Sequence, residues 1–235
     1  RKKFFVYLRS NGYEEYKAIL GFVGPGIYHA MFKIVTFKSD IISCQKRLFT
    51  KRKSEIVLPS ELNSFWFQDI KKPLLDKARL LYVGRLKVEK GIFSLLKIFD
   101  EINSDVSLSI VGKKEKDYSN NKKVSFIGHG YDAPKLVKIY DDHNISILPS
   151  FTEAHPKVID ESLARARPAI IFEEIKHIIQ NRKGIFVSKR DVKSLLETID
   201  FIMKNYISIQ ESMTQNKLPT KKEFISQMSK ILSSN

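Results

Sequence analysis

Six short apolar runs punctuate the rear two thirds of the chain, at residues 80–83, 106–111, 124–127, 145–148, 169–172 and 185–187. They are rich in Val, Ile and Leu and continuous rather than alternating, as strands covered on both faces are. Between most of them the apolar positions switch to helical spacing. Residues 92–102 set Phe93, Leu96, Ile98 and Phe99 on one broad face, and residues 134–140 carry Leu136, Val137 and Ile139. A third helix is expected over 156–166, with Pro156 at its first position and Pro168 forbidding continuation. A fourth runs over 192–203, with Asp191 as its cap and Leu195, Leu196, Ile199, Phe201 and Ile202 as its stripe. Strand-helix alternation of this kind predicts a doubly wound parallel α/β sheet. Gly84, Gly112, Gly128 and Gly130 fall at the carboxyl ends of its first three strands, where such sheets bind ligands.

The front of the chain follows a looser pattern. Strands are expected at 4–8, 40–43 and 55–58, with helical residues 14–37 interrupted at Gly24-Pro25-Gly26. These elements are too few for a complete doubly wound domain and read as the rear part of one. Residues 219–235 place Phe224, Ile225, Met228, Ile231 and Leu232 at helical spacing, which predicts a terminal amphipathic helix. Three parts result: a partial domain and linker at 1–75, a ligand-binding domain at 76–218, and the helix at 219–235.

Charge narrows the partners. The chain of 235 residues holds 41 Lys+Arg against 26 Asp+Glu, a net +15, which calls for nucleic acid, acidic lipid or phosphate. Residues 1–75 hold 14 basic and 6 acidic residues, so the front is the more basic part by density. Its runs are short (Arg1-Lys2-Lys3, Lys51-Arg52-Lys53, Lys71-Lys72), and short runs of this kind are ordinarily solvated surface. No RNA-binding or zinc pattern accompanies them. The lone Cys44 excludes an intrachain disulfide framework and points to a reducing compartment. No window reaches the roughly 18 apolar residues of a spanning helix.

Two segments carry chemistry. In the first, from Val83 to Gly91, Arg85 and Lys90 frame a strand end and a helix start, whose free N–H groups favour an anion. Arg gives a bidentate fork to phosphate and Lys a compact charge. The spacing is not that of a P-loop, and a solvated basic loop is the plain alternative. In the second, from Pro149 to Glu161, Glu153 falls in a loop and Glu161 in the second turn of a helix. Carboxylates so placed accept hydrogen bonds from sugar or ribose hydroxyls, though ordinary helix-start acids read the same way.

Together, Gly84-Arg85, Lys90-Gly91 and the Glu153/Glu161 pair resemble the signature of the GT-B glycosyltransferases of family 4 type. Landmarks at 110–112, 126–129, 148–150, 167–170 and 184–187 are also similar to that family, so the resemblance covers about residues 55–205. It implies a retaining, metal-independent glycosyltransferase without a cofactor, moving a sugar from a nucleotide-diphosphate donor (UDP or GDP type) to a glycan or lipid-linked acceptor. Arg85 and Lys90 are then implied at the diphosphate and Glu161 at the ribose. Glu153 with the Ala154 and His155 backbone falls at the donor sugar, and Gly84, Gly128 and His129 near the nucleotide.

Departures from the family pattern are Ala154-His155-Pro156 after the first Glu, Lys113-Lys114 after Gly112, and residues 173–177 in place of a Gly-Gly pair. Arg9 stands on the acceptor side, where relatives carry a histidine. The start at Arg1 and the short front part lead to the expectation that donor binding survives better than acceptor transfer. The expected setting is cytoplasmic, peripheral at the inner face of an anionic membrane, with surface polysaccharide synthesis as the process. A degenerate domain that binds without transfer and a GT-B type nucleotide-sugar epimerase are the alternatives.

Overall fold

The computed structural model describes residues 4–45, 54–113 and 119–233; the runs 1–3 and 51–53, and Lys114, lie outside the described residues. The chain forms two compact units. The larger comprises 62–151 and 158–218, and the smaller comprises 1–61, 152–157 and 219–235.

In the larger unit six parallel strands alternate with helices. They are β4 (Ala78–Val83), β5 (Val106–Val111), β6 (Val124–Gly128), β7 (Ile145–Leu148), β8 (Ala169–Phe172) and β9 (Ile185–Ser188). Their order is β6-β5-β4-β7-β8-β9. This is the doubly wound arrangement, with its topological switch between β4 and β7. Every residue of β7 and β8 is buried; the one polar member, Ser146, accepts from Ser162 Oγ at 2.7 Å. The edge strand β6 alternates Ser125 and Ile127 outward. Helix α3 (Ile92–Glu101) buries Ile92, Leu95, Leu96, Ile98 and Phe99. Asp132 caps α4 (Ala133–Asp141) by accepting from the Lys135 amide at 3.1 Å. Asp191 caps α6 (Val192–Lys204) through the Ser194 amide at 2.8 Å. Helix α5 (Lys157–Ala164) starts one residue after Pro156, so that proline precedes the helix instead of opening it. A further helix, α7 (Tyr206–Met213), was not expected; it buries Tyr206, Ile209 and Met213.

Two buried arginines hold the entering chain to this unit. Arg165 donates to both carboxylate oxygens of Asp141, at 3.0 and 2.8 Å, and to the carbonyls of Trp66, Gln68 and Asp69. Arg167 donates to the carbonyls of His143, Lys71 and Asp141. The backbone of residues 66–71 thereby gains donors from residues nearly a hundred positions away.

The smaller unit holds a three-stranded parallel sheet in the order β1-β2-β3, with β1 (Phe4–Leu8), β2 (Ser39–Ser43) and β3 (Glu55–Ile56). The third strand is shorter than the expected 55–58, because Val57 makes one last bond to Ser43 before Pro59. The helical break also lies elsewhere than expected. Helix α1 (Gly12–Leu20) ends at Gly21, whose φ of 63° is left-handed, and a short 3-10 turn follows. Gly24-Pro25-Gly26 opens α2 (Gly24–Thr36), where the proline's missing N–H has no helical partner to lose. Among residues of α2, Gly24 and Thr36 are buried, while Ile27, Met31, Ile34 and Val35 are exposed. Helix α8 (Lys221–Ser233) packs in this unit, with Phe224 stacked on Tyr7 at 6.3 Å and Lys221 paired with Glu61 at 3.2 Å. Burial pushes the Cys44 thiol up to about 11, so it stays protonated.

Candidate functional site

The loop after β4 is fixed from several sides. The Gly84 amide donates to the Val111 carbonyl at 2.9 Å, and Tyr82 Oη donates to the Arg85 carbonyl at 2.7 Å. The chain then makes a 3-10 turn at Val88–Lys90 and passes through Gly91, in the left-handed region at φ 66°, into α3. A Cβ on Gly91 would lie 1.8 Å from the Pro149 carbonyl oxygen, so only glycine fits. The Phe151 amide donates to the Glu89 carbonyl at 3.0 Å. The loops after β4 and β7 are therefore bonded to each other across the switch point of the sheet.

A cavity of about 490 Å³ opens beside this loop at the ends of β4, β5 and β6. Gly84, Arg85 and His129 line it, joined by Lys87, Lys113 and Tyr131. Gly112 takes part through close approach, since a Cβ there would sit 2.4 Å from the Gly84 carbonyl oxygen. Gly128 ends β6 at φ 117°, and its carbonyl accepts from Gly112 at 2.7 Å. The three lysine and arginine side chains make this an anion-attracting pocket with an apolar floor of Val83, Val111 and Leu136. Lys113 was read from the sequence only as a departure, and Lys87 and Tyr131 were not singled out at all. Lys87 is the one basic residue between Arg85 and Lys90, and that position was its signal in the sequence.

Lys90 stands in the 3-10 turn and Glu161 in α5; neither lines the cavity. Glu161 is buried and accepts from Tyr140 Oη at 3.0 Å. Burial and the neighbouring Glu161 charge keep the Tyr140 hydroxyl protonated well beyond its ordinary range. Glu153, Ala154 and His155 lie in the segment 152–157 of the smaller unit, where Ala154 is buried. The neighbouring Thr152 donates to Glu14 at 2.8 Å in the same unit. Arg9, just past β1, also belongs there. The cavity thus brings together Gly84, Arg85 and His129, while Gly128, at the end of β6, does not line it. Asp141, adjacent to Asp142 at the end of α4, is taken up by the buried arginines.

The profile of the family described as "Glycosyl transferases group 1" matches residues 64–218. The chain belongs to this family. Among curated relatives it is 29% identical over 161 residues to the capsular polysaccharide biosynthesis glycosyltransferase CapM of Staphylococcus aureus, covering 62% of this chain and 41% of that protein. The chain spans about two fifths of the length of the curated relatives it matches.

Solved structures give the fold. Anabaena Alr3699/HepE, solved in complex with UDP and glucose, matches at TM-score 0.76 and 11% identity, over 100% of this chain and 72% of that one. A sucrose-phosphate synthase from Thermosynechococcus elongatus matches at 0.73 and 18% identity, over 97% and 66%. The group 1 domain has the GT-B type of α/β architecture expected from the sequence.

Proposed function

We propose that this group 1 glycosyl transferase chain binds a nucleotide-diphosphate-sugar through its larger unit and serves retaining sugar transfer in surface polysaccharide synthesis. The observation that carries the reading is the pair of loops bonded across the β4/β7 switch, Phe151 to Glu89, beside a cavity lined by Arg85, Lys87 and Lys113. Crevices at such switch points are where doubly wound sheets bind nucleotides. The capsular polysaccharide role in the CapM name supports the process, and the UDP and glucose of the HepE complex support the donor class.

In this reading Arg85 and Lys90 meet the diphosphate. When the bond between the anomeric carbon and the phosphate oxygen breaks, negative charge grows on the leaving diphosphate, and fixed cations lower that barrier without reorganising. Glu161, held by Tyr140, takes the ribose hydroxyls. Glu153 and the Ala154 and His155 amides orient the donor sugar, Gly128 and His129 stand near the base, and Arg9 serves the acceptor side. The donor is of UDP or GDP type, and the UDP of the HepE complex supports the first. The reaction proceeds without metal or cofactor, and the acceptor is a glycan or lipid-linked sugar at the inner face of an anionic membrane.

Calorimetry with a panel of UDP-, GDP- and ADP-sugars tests the reading. Heat with a UDP- or GDP-sugar is expected. Silence with the whole panel overturns the donor-site assignment.

A further inference from the structure

Arg190, between β9 and the Asp191 cap of α6, is committed to three neighbouring segments at once. Its guanidinium is sandwiched between two rings, with its central carbon 4.1 Å from the Phe151 centroid and 4.3 Å from the Phe172 centroid. Nε donates to Glu174 at 2.9 Å. Nη1 donates to Ser94 Oγ at 2.8 Å, and Ser94 Oγ in turn donates to the Gly91 carbonyl at 2.7 Å. Nη2 is fully enclosed and has no hydrogen-bond partner among the described residues.

Two of these contacts, those with Ser94 and Phe151, end beside segments that carry proposed donor-site residues. Gly91 follows Lys90 directly, and its missing Cβ is what lets it pass the Pro149 carbonyl and Arg190 Nη1, which would lie 1.8 and 3.1 Å from a Cβ there. Phe151 stands in the loop after β7, and its amide donates to the carbonyl of Glu89, the residue before Lys90. Phe172 and Glu174 belong to β8 and the turn after it, where the family's glycine pair is replaced. A planar cation can stack on two aromatic faces and direct in-plane donors at the same time; an ammonium cannot. A buried donor without an acceptor lowers stability, and such groups concentrate where something other than stability dictates the residue.

We propose that Arg190 is a positioning residue that fixes the Val88–Gly91 turn against the loop after β7, setting the place of Lys90 at the diphosphate. Arg190 acts through Ser94 and Phe151 and itself touches no substrate. This rests on the donor-site reading above and adds a residue to it.

The test is calorimetry with UDP and GDP on wild type, Arg190→Lys, Ser94→Ala and the double variant, with melting temperatures measured alongside. Arg190→Lys should weaken diphosphate binding about tenfold and Ser94→Ala by a few-fold. The double variant should be no worse than Arg190→Lys alone, because both act through one chain of contacts. Uridine, which lacks the diphosphate, should bind all four proteins alike. A melting temperature that falls while the folded protein binds UDP as wild type overturns the proposal, as do effects that simply multiply. If Arg190→Lys does not fold, Ser94→Ala decides: UDP affinity within about twofold of wild type overturns it. A wild type that binds neither UDP nor GDP overturns the donor-site reading and this inference together, an outcome distinct from a wild type that binds beside variants that match it.

Discussion

The Tyr140 hydroxyl donates to Glu161 Oε2 at 3.0 Å inside the larger unit, and both side chains are buried. A carboxylate in the second turn of α5 is thus oriented from α4, whose Tyr140 ring also packs edge-on against Trp66 at 5.8 Å.

Tyr140→Phe removes that donor and keeps the ring. A hydrogen bond to a charged group contributes about 1.5–3 kcal/mol. Urea unfolding should show a loss in that range, while the near-ultraviolet signal of Trp66 is retained. An unchanged midpoint would mean that water replaces the hydroxyl.

Arg165→Met strips the buried Asp141 carboxylate of its two best donors and orphans three carbonyls of residues 66–69. Breaking a buried pair by removing one partner typically costs about 3–5 kcal/mol. The expected result is a steep fall in the unfolding midpoint, with residues 66–71 newly open to proteolysis. Protection of that segment in the variant would contradict the role given to Arg165.

Gly91→Ala puts a methyl where the Pro149 oxygen already sits, at a left-handed φ. The strain is of the order of 1–3 kcal/mol before any clash relief. The variant should fold less stably and lose UDP affinity, because the turn before α3 must move. Gly26, with nothing among the described residues within 4 Å of a Cβ position and no positive φ, is the matched control in which alanine should be tolerated.

His143 gives a pH signature. Its imidazole is pushed below its ordinary range chiefly by burial, and its Nδ1 donates to the Ile139 carbonyl at 2.6 Å. The unfolded imidazole therefore takes a proton first, at about pH 6.5, and stability falls as the pH drops from there toward the lower folded value. Unfolding midpoints at pH 5.5 and 7.5 should differ in favour of 7.5. The difference should shrink in His143→Gln; a difference of the same size in that variant would place the titration elsewhere.

The sheet of the larger unit was legible because β7 and β8 are buried at every position and β4 and β5 at most of theirs, through short runs rich in Val, Ile and Leu, a pattern that survives without tertiary knowledge. The front was less so. Three glycines stand close together, and nothing local says that Gly21, rather than Gly24 or Gly26, takes the left-handed φ. Arg165 and Arg167 were hidden for another reason. Charged residues are expected outside, and the carbonyls that satisfy these two come from residues 66–71, far away in sequence. The Gly84-Arg85 loop could be read from spacing, whereas the joining of Lys87 and Lys113 in one cavity depends on β4 and β5 lying side by side. Arg190 gave no sequence signal, since its two rings lie 39 and 18 positions upstream.

The central claim is that the Gly84–Gly91 segment holds a diphosphate. Titrating UDP and uridine into wild type, Arg85→Ala and Lys90→Ala addresses it directly. Charge-assisted hydrogen bonds contribute about 1.5–3 kcal/mol, so each variant should weaken UDP roughly 10- to 150-fold and leave uridine affinity nearly unchanged. Equal losses for UDP and uridine, or no loss for either, would contradict it.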